Sequence, residues 1–151
     1  MALIAGMGGP PAEEELAELV DLERYPLQQL NGPQGESFLA RCRASLASDG
    51  CAVLPAFIRP EALAIMREET RQLAPLAHIN DTRTNPYNGD GDPALPADHP
   101  RNVFMDRSNG FVAGDQIASQ TALRRLYHHR LFQEFVRRAL GAEELYEYAD
   151  P

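Results

Sequence analysis

Lysine is missing from this 151-residue chain, and all 14 basic side chains are arginine. That excludes chemistry needing a side-chain amine, such as a Schiff base or the lysine grip of a P-loop. Codon bias in a GC-rich genome accounts for the preference itself. Cysteine is scarce: Cys42 and Cys51 lack CxxC spacing, and no secretory signal precedes them. Reduced thiols in a cytoplasmic setting are therefore expected rather than a disulfide. The opening MALIAGMGGPP has no positive n-region and too short an apolar run for export. No apolar run approaches the roughly 20 residues needed to span a bilayer. A formal net charge of -8 argues against nucleic acid or a membrane surface as the main partner, since either wants a basic face.

Catalytic signatures are equally sparse. GMGGPP only half resembles a dinucleotide fingerprint, because Pro11 stands where the third glycine belongs and no strand–turn–helix context supports it. There is no GxSxG elbow for a serine hydrolase. NGDGD, from Asn88 to Asp92, invites a calcium reading, with a solvated turn as the alternative. An EF-hand loop starting at Asn88 would place Pro93 where glycine is required and would lack its closing Glu. A mononuclear non-haem iron site usually begins with HxD on a strand, whose alternation puts both side chains on one face. Here His78 is followed at that spacing by Asn80 and His99 by Arg101, while His128 and His129 are neighbours pointing apart. Exposed or helix-end histidines are the ordinary reading, and no catalytic or metal-binding residue is assigned to the chain.

What is present reads as α+β, mainly helical. Apolar residues at 44% and charged residues at 24% are close to globular averages, so a folded domain with a modest core is expected. AEEELAELVDLERY follows Pro10 and Pro11 as a first helix, with Leu16, Leu19, Val20 and Leu22 as its apolar stripe. PLQQLNGPQG then breaks the chain. Residues 1–35 are accordingly a leader with one helix and a linker, and 36–151 the main domain. A second helix is predicted from Glu36 to Asp49, buried through Phe38, Leu39, Cys42 and Leu46 and stopped by Gly50. CAVL, Cys51 to Leu54, reads as a short buried strand. Pro60 starts a third helix with Leu63, Met66, Thr70 and Leu73 on one side, ended by Pro75.

Periodicity vanishes from His78 to Pro100. The part NPYNGDGDPALPADHP holds four Pro, two Gly and three Asp, and so long a loop points to a site. RNVFMD reads as a strand, GDQIASQT as a turn and TALRRLYHH as a short helix. LFQEFVRRAL is a strongly amphipathic helix ended by Gly141. Tyr146 and Tyr148 alternate around Glu147 as on a strand with one face in the core. Arg101 and Arg107 flank the strand after the loop and are the candidate substrate-binding residues, since guanidinium suits a carboxylate. Surface ion pairing is the alternative reading of each.

The run DGCAVLPAFIRPEALAIMREET resembles the helix–strand–helix entrance of Fe(II)/2-oxoglutarate-dependent oxygenases related to phytanoyl-CoA dioxygenase. NPYNGDGDP, DHPRNVFMDRSNGFVAGDQI and LRRLYHHRLFQEFVRRALGAEELYEYADP follow the order of a bacterial subgroup that hydroxylates or halogenates free amino acids. The resemblance covers the chain from about Glu36 onward. It implies the N-terminal helical region of such an enzyme, with short strands flanking a double-stranded β-helix (jelly-roll) core that is largely missing from this chain. In the full-length parent, Fe(II) and 2-oxoglutarate would be the cofactors and an amino acid or derivative the substrate. The chain stops at Pro151 before the iron-binding HxD or HxG, so neither cofactor is expected to bind it alone. An apolar surface should be exposed where the barrel docks. A non-catalytic helical binding module, or one half of a split oxygenase, are the alternatives.

Overall fold

The computed structural model describes residues 12–147. Pro11 and Tyr148 lie outside them. The architecture is α+β and mainly helical: a helical body carries a two-stranded antiparallel ribbon.

Helix α1 spans Ala12–Leu19 and buries Leu16 and Leu19. It stops short of the expected Tyr25 because Val20 leaves the helix to bridge Ile58. The Arg59 amide donates to Leu19 O (2.9 Å), and Asp21 donates to Phe57 O (3.0 Å). Arg59 Nε also donates to Ala17 O (2.7 Å), satisfying a helix-end carbonyl that has no partner within the helix.

A 3-10 turn at Leu27–Gln29 leads into α2, Pro33–Asp49. Proline suits that start, three residues before the predicted one, because its missing N–H would be unpaired in the first turn anyway. Gly35 lets α2 cross the preceding turn, since a Cβ there would fall 2.2 Å from Gln29 O and 2.5 Å from Leu30 Cα. Gly50 (φ 72°) and Gly141 (φ 67°) end α2 and the last helix in the left-handed region, at the two stops expected from sequence.

Helix α3 spans Pro60–Leu73, α4 Ala122–Tyr127 and α5 Arg130–Leu140. The buried face of α3 is turned from the expected one. Ala62 and Met66 are buried and Leu73 half-buried, whereas Leu63 and Thr70 are exposed. Helix α3 packs on α1 and α4, and the small Ala62 suits close approach there. The core is aromatic at its centre. Phe38 of α2 stacks on Phe135 of α5 (centroids 5.2 Å, planes 13° apart), and Tyr25 lies between Phe38 (5.5 Å) and Phe57 (5.3 Å). Burying each such ring stabilises the fold by about 1.5–3 kcal/mol.

CAVL is not a strand. Residues 51–54 run without regular structure, and Val53 is 78% exposed. Among the described residues the bridge of this region lies further along, where Ile58 meets Val20. The loop expected from His78 to Pro100 is shorter than predicted, because His78–Thr84 forms β1. β2, Met105–Phe111, begins later than RNVFMD suggested and pairs with β1 from His78↔Phe111 to Thr84↔Met105. Every side chain of the ribbon is exposed except Thr84, which is half-buried. Tyr146, expected on a half-buried strand, is 79% exposed and outside regular structure.

Candidate functional site

The ribbon presents residues 85–104 at its tip as one long hairpin loop. Two asparagines hold that loop together. Asn85, 2% exposed, donates through Nδ2 to Gly89 O (2.7 Å) and Arg101 O (2.6 Å). Its Oδ1 accepts from the Tyr87 amide (3.0 Å) and the Gly89 amide (3.4 Å). Asn102 Oδ1 accepts from the Asp92 amide (2.7 Å), while Nδ2 donates to Asp92 O (2.9 Å), Leu95 O (3.1 Å) and Pro96 O (2.9 Å). An Asn amide reproduces a peptide group, so each replaces backbone pairing that so irregular a segment cannot supply itself.

This scaffold displays a layered stack. The Tyr87 and His99 rings lie nearly parallel (6.5 Å, 12°), and the Arg101 guanidinium sits 5.1 Å from the Tyr87 centroid. Arg101 is also fixed at its backbone, since its carbonyl accepts from Asn85 and its amide donates to His99 Nδ1 (3.2 Å). Its guanidinium has no hydrogen bond or ion pair with a described residue. A cation held on a ring with its donors free is prepared to receive an anion at little further cost in side-chain order.

Of the two arginines singled out by sequence, Arg101 belongs to this stack. Arg107 stands within β2 rather than beside a strand, opposite Thr82, with the Asn109 amide oxygen 3.1 Å from its Nε when that amide is turned towards it. Neither is ion-paired with a described acid. The contribution of Tyr87, His99 and the two asparagines was missed. The Asn-Pro step at 85–86 was the available signal, as Asn-Pro favours turn initiation and Asn side chains form local turns.

In the NGDGD stretch, Asp92 Oδ1 accepts from the Ala94 amide (2.9 Å), which makes an Asx turn. The histidines are dispersed. His78 lies against Phe111 (5.1 Å), His99 stacks on Tyr87, and His128 Nδ1 meets Glu147 Oε1 (2.9 Å). His129, 8% exposed, caps α5 by accepting from the Leu131 amide (3.2 Å). Among the described residues no three His, Cys, Asp or Glu side chains converge to hold a metal ion. The donor set does not fit an iron centre, and no iron ligand is assigned to these residues. Among them, too, no helix is long and apolar enough to cross a membrane.

Neither a protein-family model, nor a curated protein, nor a solved structure matches the chain.

Proposed function

We propose that this chain is the N-terminal helical region of a non-haem Fe(II)/2-oxoglutarate-dependent oxygenase, a cytoplasmic hydroxylase or halogenase of a small amino-acid-like substrate. Iron and 2-oxoglutarate would sit in a jelly-roll core outside these residues. The observation that carries the reading is the ribbon. Two strands exposed on both faces do not stabilise themselves in water, and such a pair needs more strands or a packing partner. A barrel docking against it would supply both, and the order of segments from DGCAVLPAF to LYEY resembles that of the oxygenase subgroup.

In this arrangement the Asn-braced loop borders the substrate. Arg101 binds the substrate carboxylate, and Arg107 lines the approach from β2. Asp90 and Asp98 are exposed on the same loop, so it presents both signs of charge, as a zwitterion requires. Chemistry at the iron belongs to the cofactors. The contribution of these residues is to bind and orient.

The test is to express the reading frame through the DNA downstream of Pro151 and titrate it with Fe(II) and 2-oxoglutarate under anaerobic conditions. The reading expects the metal-to-ligand absorption band of the bound pair, and amino-acid-dependent consumption of 2-oxoglutarate that Arg101→Gln weakens through KM. A downstream frame without an iron-binding HxD or HxG and a distal His, or an extended protein that binds no iron, would contradict it. Co-purification with a separate barrel chain would indicate a split enzyme. A stop codon after Pro151 with a stably folded product would favour a non-catalytic binding module.

A further inference from the structure

A half-open pocket of about 310 Å³ lies between α2 and residues 52–55, against Tyr25 and Phe38. Its size is at the lower end of small-molecule sites. Two cations and no carboxylate line it, in a chain where Asp and Glu number 22 against 14 arginines. Arg24 stands 5.6 Å from the Tyr25 centroid and Arg41 stands 5.9 Å from that of Phe38. The two rings are themselves 5.5 Å apart, so each ring of one aromatic pair carries a guanidinium. Tyr25 is fixed by its hydroxyl, which donates to Pro55 O (2.7 Å). Arg24 has no side-chain hydrogen bond to a described residue, and Arg41 bonds only to Ser37 Oγ (3.2 Å).

The remaining walls fit the same ligand chemistry. Burial pushes the Cys42 thiol up from its ordinary pKa, so it stays neutral and adds no negative charge. The amides of Ala52 and Val53 donate to no described residue, leaving polar backbone beside the two guanidiniums.

We infer that this cavity is a binding site for a small organic anion, with a carboxylate or phosphate between Arg24 and Arg41 and a compact apolar body against Tyr25 and Phe38. The site is separate from the hairpin loop and independent of the oxygenase reading. Benzoate and phenyl phosphate probe the two anion chemistries on one apolar body, and benzyl alcohol tests the body without charge. Amide shifts in ¹H–¹⁵N spectra report binding on the whole chain. Benzoate or phenyl phosphate should saturate at a Kd on the order of 1 mM or tighter, moving the amides of residues 24–25, 38–45 and 52–54. Benzyl alcohol should bind at least about tenfold more weakly. Arg24→Gln and Arg41→Gln should each weaken the anion about tenfold, and Arg67→Gln on α3 should leave it unchanged. Both arginines are exposed at the rim, so the variants should keep the parent's circular dichroism. The inference is overturned if neither anion gives saturable shifts at these residues. It is equally overturned if benzyl alcohol binds as well as benzoate, or if Arg67→Gln weakens binding as much as the other two.

Discussion

The helical body and the hairpin are built on opposite plans. In the body, ion pairs and arginine–carbonyl bonds join distant segments. Arg125 meets Glu15 and Glu18, Arg138 meets Glu36, and Arg43 donates twice to Arg138 O (2.9 and 2.8 Å). In the hairpin, Arg83, Arg101 and Arg107 pair with no described acid, although Asp106 stands directly across the ribbon from Arg83. The arginines that join distant segments of the body are closed on partners within it; the three of the hairpin are ion-paired with no described acid. A chain that braces a long loop with two asparagines and leaves Asp90, Asp98 and Arg101 exposed on it has shaped that surface for contact with something else.

The largest separation between the two regions should come from core truncation. Phe38→Ala removes a ring that is stacked or packed on two others, and should cost about 3–5 kcal/mol in urea unfolding. Phe111→Ala on the ribbon should change the same transition by less than about 0.5 kcal/mol. Equal costs would mean that the ribbon is part of the cooperative core.

Next in size is Asn85→Ala. It removes four hydrogen bonds from a buried amide, at about 1–3 kcal/mol, and the effect should stay local. Amides from 87 to 102 should lose protection while the melting of the body remains within a degree or two of the parent. A large fall in Tm would show that the loop also supports the helices.

The smallest effect concerns the tether after α5. Glu147 is held below the ordinary carboxylate range, first by its hydrogen bond to the His128 ring and then by that from Gln133. Because the folded-state value is depressed, the tether is fully present above the ordinary range and is lost as pH falls through the lowered value. The Glu147 carboxyl resonance should titrate below that of an exposed Glu, and Glu147→Gln should abolish the pH dependence of neighbouring amides. A normal titration would contradict the contact.

Sequence legibility followed the same division. The helices of the body were readable because burying one face imposes a 3.6-residue period, as in Phe38, Leu39 and Cys42, with Leu46 only half-buried, and because Gly50 and Gly141 mark the stops. HINDTRT and MDRSNGF were opaque as strands because both faces meet water, so no alternation was imposed on them. CAVL misled in the other direction. Apolar content was read as burial, yet Val53 projects outward, Ala52 and Leu54 are only half-buried, and Leu54 O accepts from the Phe57 amide in a local turn rather than from a neighbouring strand. In α3 the one-residue rotation of the buried face from Leu63 to Ala62 reflects close packing on α1 and α4, which periodicity alone does not encode. At the loop, Arg101 could be named from its chemistry. The ring beneath it could not, because the Tyr87 contact depends on how residues 85–104 fold back on themselves.

Amide hydrogen exchange on the chain by itself tests most directly whether body and ribbon differ as described. Amides of Phe38–Leu46 and Phe132–Ala139 should exchange only through global unfolding. Those of His78–Thr84 and Met105–Phe111 should exchange at least about a hundredfold faster through local opening. Equal protection in the two sets would mean that the ribbon is already a partnered part of the fold, and would remove the reason for seeking what covers it.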